Sequence, residues 1–211
     1  MNRVSLLAVL VTGAATPAAA QLAGLPVWNS PKGGTGITIS GDYGKPNADL
    51  GKGNAFGARG TVGLGSLSLT AGFSSWNLPG TFPTLKSVGG NAAFRVIGGS
   101  LLPVNVNLLV GGARTTASGA SGGTTTLIAG GGVSVSLPLP LSIEPYLSIA
   151  NRWHKPTGLS TDSNIGWTIG ANLGLGLMGA HIAYDSESLG GGATGGILGV
   201  GLHLALKVPM M

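Results

Sequence analysis

The chain has 211 residues, 40 of them Gly, with 43% hydrophobic side chains and only 8% Asp, Glu, Lys or Arg, where soluble domains carry roughly 25% charged residues. Such a composition makes a poor surface for water. The mean hydropathy of +0.41 excludes a disordered chain, and glycines without a three-residue period exclude collagen. Cys is absent, so the chain offers no disulfide framework and no thiolate metal site. The formal charge of +5 reflects scarce acids and no basic run, so it indicates no nucleic-acid partner.

Residues 1–20 read as a cleaved secretory signal peptide: a cationic Arg3, an apolar stretch from Leu6 to Val11, and the small residues Ala18 and Ala20 before Gln21. Residues 21–211 form the mature unit, and no later segment offers the run of about 20 apolar residues that a membrane-spanning helix needs. The dominant period after Gln21 is two, the period of a strand whose faces meet different surroundings. It appears first in Ile37, Ile39, Gly41 and Tyr43, set against Thr38, Ser40 and Asp42. It continues in Phe56 to Leu64, Leu67 to Phe73, Phe94 and Val96, Val104 to Val110 and Val133 to Leu137. Ile143 to Ile149, Trp167 to Leu173, Ala180 to Tyr184 and Leu198 to Leu206 complete ten candidate strands.

The connections alternate in length. Short ones fall near 65–66, 98–103, 138–141 and 176–178, and longer polar ones near 44–54, 75–91, 115–124, 154–164 and 185–196. Outer-membrane barrels show this asymmetry, with short periplasmic turns, longer extracellular loops and an even strand number. The outward aromatics Tyr43, Phe56, Phe73, Phe94, Trp153, Trp167 and Tyr184 are expected near the long-loop rim, where rings favour the headgroup level.

On these patterns the chain resembles small bacterial outer-membrane β-barrel proteins over residues 33–207. The resemblance implies a transmembrane antiparallel up-and-down barrel, most simply of ten strands, with eight or twelve as the adjacent even counts. It further implies outer-membrane localisation in a Gram-negative-type envelope and membrane lipid and the barrel-assembly machinery as partners. The chain departs from the class by ending Lys207-Val208-Pro209-Met210-Met211 and not on an aromatic residue.

The inward period carries a polar lumen cluster of Asp42, Arg59, Arg95, Glu144, Arg152, His181 and Asp185. Asp42, Arg59, Arg95, Arg152 and Asp185 are expected toward the extracellular half, and Glu144, His203 and Lys207 toward the periplasmic half. Such charges either lock together as a stabilising plug or line a narrow, anion-preferring, porin-like constriction for small solutes or ions. Ten strands lie near the closed limit of barrel size, which argues against a wide pore.

Signs of catalysis are weak. Two G-x-G-x-x-G matches, at 174–179 and 190–195, open no helix as dinucleotide binding requires, and the three histidines lack paired ligand spacing. No cofactor and no metal is expected. The enzyme alternative is a rim hydrolase built from His154, Asp162, Asp185 and Glu187; a secreted soluble β-rich binding or coat protein is a further alternative. Most strand glycines, including Gly57, Gly132, Gly166, Gly170, Gly199 and Gly201, fall on the inward period, as a narrow lumen with close backbone approaches would require.

Overall fold

The computed structural model describes residues 22–99, 102–137 and 141–206. The expected signal peptide and the C-terminal Lys207–Met211 lie outside them.

Ten strands follow one another: β1 (Gly34–Pro46), β2 (Asn54–Gly65), β3 (Leu67–Asn77), β4 (Leu85–Gly99), β5 (Leu102–Ala117), β6 (Gly123–Val135), β7 (Ser142–Pro156), β8 (Asp162–Leu175), β9 (Met178–Ser188) and β10 (Thr194–Leu206). Each pairs antiparallel with its sequence neighbours, and β1 closes on β10 through a register running from Ile37 opposite Leu206 to Pro46 opposite Ile197. Closure leaves no edge strand, the condition for placing strands in lipid.

Alternation then decides the two faces. Ile39, Val88, Ile149, Ile165, Leu175 and Leu202 project from the outer wall, each about half exposed or more. Polar partners one residue away, such as Ser40, Asn107, Ser148 and Thr168, are buried inside. An apolar exterior around a polar interior inverts the arrangement of a soluble protein and suits hydrocarbon.

The strands run further than their alternation suggested. The loop expected at 75–91 shrinks to 78–84 because β4 begins at Leu85. Gly89 and Gly90 resemble turn residues but stay in the ladder, where an added Cβ would lie 2.5 Å from the Gly112 carbonyl oxygen and 2.6 Å from that of Thr70, respectively. This earlier start moves Phe94 and Arg95 down the strand. Phe94 pairs with Leu67 and Leu108 at the short-turn end, so it leaves the long-loop aromatic group while remaining outward. Arg95 likewise sits in the short-turn half and not the expected extracellular half. A register shift between Arg95 and Ile97 breaks the alternation there, which puts both Val96 and Ile97 on the outside.

The largest departure precedes β1. Residues 22–33 do not lie outside the barrel; they thread its lumen from the long-loop end to the short-turn end. At the long-loop end, Leu22, Ala23 and Leu25 pack against Leu50, Ala55, Trp76, Leu85 and Ile197. Further down, Val27 packs on Ala93, Leu109 and Ile128, and Trp28 on Tyr146 and Ala183. At the short-turn end Gly33 reaches Gly65 and Ser68.

Candidate functional site: a threaded lumen

The inward glycines account for the room this segment needs. A Cβ on Gly199 would stand 2.4 Å from Pro26 Cγ, one on Gly57 2.6 Å from Leu25 Cδ1, and one on Gly132 2.4 Å from Asn29 Nδ2. Other inward glycines accommodate large lumen side chains: Gly166 faces the Arg152 guanidinium, Gly170 the Tyr146 ring and Gly201 the His181 ring.

Polar groups of the wall fix the segment along its length. The Ser74 hydroxyl donates to the Ala23 carbonyl at 2.8 Å, and the Val27 N–H donates to Asp185 at 3.3 Å. Asn29 and Asn107 exchange reciprocal amide hydrogen bonds of 3.1 and 2.7 Å. Glu144 accepts from the Ser30 hydroxyl at 2.8 Å and the Lys32 N–H at 2.9 Å, as well as from Ser134 at 2.7 Å. Arg95 completes the lower end by donating to the Lys32 carbonyl. Several backbone groups of the segment, the Ala23, Asn29 and Lys32 carbonyls and the Val27 and Lys32 N–H groups, thus find partners on the wall, as buried ones must.

Behind the segment the expected lumen residues divide into two networks. In the long-loop half, Arg152 binds Asp185 through two 2.8 Å contacts and Glu187 through one of 3.1 Å. Thr168 donates to Asp185 at 2.6 Å, and His154 lies 2.7 Å from Glu187 and 3.1 Å from Thr126. Arg152, His154, Asp185 and Glu187 are each no more than 2% exposed. Near mid-barrel, Arg59 forks onto Asp42 at 2.7 and 3.1 Å. His181 Nε2 lies 2.6 Å from the same carboxylate, and its Nδ1 lies 3.3 Å from His203 Nδ1. With its proton on Nε2, His181 donates to Asp42 and accepts from His203. Trp28 stacks edge-on against His181 with ring centroids 4.4 Å apart, and the Arg59 guanidinium lies 5.2 Å from the indole, within cation–π range.

The geometry therefore unites Asp42, Arg59 and His181, and separately Arg152 and Asp185, while Glu144 and Arg95 hold the lower part of the segment. Six of the seven predicted rim aromatics lie outward in the long-loop half; Tyr43 meets Phe56 at 5.3 Å and Trp167 meets Tyr184 at 5.7 Å. Below Trp28, a cavity of about 280 Å³ opens at the short-turn end, lined by Thr38, Thr61, Thr70, Glu144, His203 and other mostly polar residues. Residues 22–33 lack period two, so alternation gives no sign of their place in the lumen. Their one visible signal was an apolar stretch containing Trp28, placed where no strand begins.

Closed antiparallel topology with an apolar outer wall defines a β-barrel of the outer-membrane type. Among solved structures the chain is similar to the beta domain of the Bordetella autotransporter Brka, at 12% identity and a TM-score of 0.51 over 82% of this chain and 100% of that one. It is also similar to a bacterial polysaccharide outer membrane secretin, at 10% identity and a TM-score of 0.50, covering 82% of this chain and 66% of the secretin. Neisserial surface protein A aligns at 13% identity and a TM-score of 0.37 over 81% of this chain and 96% of that one. At such identities the likeness is one of fold. No family model and no curated relative matches the sequence.

Proposed function

We propose that this protein is a self-plugged, structural outer-membrane barrel, exported by its N-terminal signal, inserted by the barrel-assembly machinery and held closed by residues 22–33. The observation that carries the reading is the burial of Leu25, Val27 and Trp28 inside the lumen, together with the apolar seal of Leu22, Ala23 and Trp76 at the long-loop end. The charge arrangement favours the structural alternative over an anion-selective pore. Arg59 and Arg152 each face a carboxylate within 2.8 Å, so neither presents free positive charge to a passing ion. The hydrolase alternative finds little support, since His154 is fully buried and both its ring nitrogens are engaged. A soluble coat protein would leave the apolar outer wall in water.

Planar-bilayer recording tests the proposal. The refolded full-length protein should show no steady conductance, and a variant lacking residues 22–32 should conduct, because the lumen then loses its occupant. A stable, anion-preferring current through the unaltered protein would overturn the reading.

A further inference from the structure

Every acidic side chain of the sequence lies away from the lipid-facing wall. Asp42, Glu144, Asp185 and Glu187 are buried in the lumen. Of the two others, Asp49 sits in the loop 47–53 and accepts from Thr194 N–H, while Asp162 heads β8 opposite His154 and accepts from Ser163 N–H. Four cations, by contrast, are exposed at outward positions near the long-loop ends of strands: Lys45, Lys86, Arg114 and Lys155.

Three of these form one row. Arg114 on β5 pairs with Thr125 on β6, which pairs with Lys155 on β7, so the two cations stand about 10 Å apart across two strand spacings. Lys86 on β4 pairs with Thr116, two residues beyond Arg114, a diagonal of roughly 7–8 Å. The Arg114 guanidinium is preoriented, donating to Thr125 at 2.9 Å and Thr157 at 3.2 Å. That leaves further N–H groups free for an anion. None of the three cations forms a salt bridge with a described carboxylate. Beneath the row the outer wall presents Val88, Val110, Leu127 and, past Trp153 and Asn151, Ile149, these four aliphatic residues all at least half exposed.

We infer that β4–β7 carry a binding site for a phosphorylated glycolipid of the outer leaflet, with Lys86, Arg114 and Lys155 on its phosphates and the apolar wall below against its acyl chains. The occupant is a lipid and not free phosphate, because the cations sit at the headgroup level above a surface suited to hydrocarbon. Arg and Lys are suited to this division: an Arg fork donates two parallel N–H bonds to a phosphate, while Lys acts as a point charge. The inference is independent of whether the lumen is sealed.

The test places the full-length barrel in phosphatidylcholine nanodiscs containing lipid A and counts retained lipid A by native mass spectrometry. Near an anionic surface each cation weakens binding about fivefold when removed, so K86Q/R114Q/K155Q should lose about 150-fold in affinity. K45Q, on β1 across the barrel from β6, should bind as the unaltered protein does. Lipid A stripped of its phosphates should not be retained, and millimolar inorganic phosphate should not displace the phosphorylated lipid. For the unaltered protein, raising salt should weaken retention as screening grows, a measurement that needs no variant to fold. Retention unchanged in the triple variant, retention insensitive to salt, equal retention of the stripped lipid, or displacement by phosphate alone would each overturn the proposal.

Discussion

Replacing Arg152 with Met tests whether the lumen network is a cooperative electrostatic unit. The guanidinium makes three contacts of 3.1 Å or less to Asp185 and Glu187, and all three side chains are at most 2% exposed. After substitution Asp185 keeps the Thr168 hydroxyl and the Val27 N–H, and Glu187 keeps His154 and Asn164. Two buried carboxylates then share a site without the cation, and breaking a buried pair in this way costs about 3–5 kcal/mol. Replacing the carboxylates by amides removes the stranded charge and keeps acceptor oxygens for Thr168, Val27 N–H and Asn164, so R152M/D185N/E187Q should recover most of that loss. Urea unfolding in detergent micelles, followed by fluorescence of Trp28, Trp76, Trp153 and Trp167, gives the stabilities. A loss below about 1 kcal/mol for R152M, or a triple variant no more stable than R152M, would refute the argument.

Other predictions concern the threaded segment. G199V places side-chain carbon where Pro26 and Trp28 sit, so it should expel residues 22–33 and expose them to protease, whereas G41V, which meets nothing within 4 Å, should leave them protected. E144A removes the acceptor for the Lys32 N–H and Ser30 hydroxyl; hydrogen bonds to charged groups contribute about 1.5–3 kcal/mol, so amide exchange at Lys32 should accelerate roughly 10- to 150-fold. Unchanged protection there would show that Glu144 does not anchor the segment. A double-mutant cycle on N29A and N107A should give a coupling of about 0.5–1.5 kcal/mol, and zero coupling would deny the reciprocal pair its part in holding the segment.

Strand alternation, the scarcity of charge and the unequal connections were enough to define a lipid-facing barrel, because faces exposed to different solvents impose a period of two on sequence. They also assigned Asp42, Arg59, Glu144, Arg152, His181 and Asp185 to the inner face, since parity alone settles which way a strand residue points. Parity cannot set height along the barrel. Gly89 and Gly90 read as loop and were strand, which displaced Phe94 and Arg95 by about half a strand from their expected rim.

Composition and pattern thus determined what surrounds the protein; tertiary structure decided what fills it. By sequence the inward glycines imply a narrow lumen, and several of them answer a particular neighbour in it: Pro26 at Gly199, Leu25 at Gly57 and Asn29 at Gly132. Those neighbours are more than thirty residues away in sequence from Gly57, Gly132 and Gly199, and belong to a segment with no regular period. Closing ten strands brings them together, because the lumen that closure creates is a space whose contents no local pattern encodes.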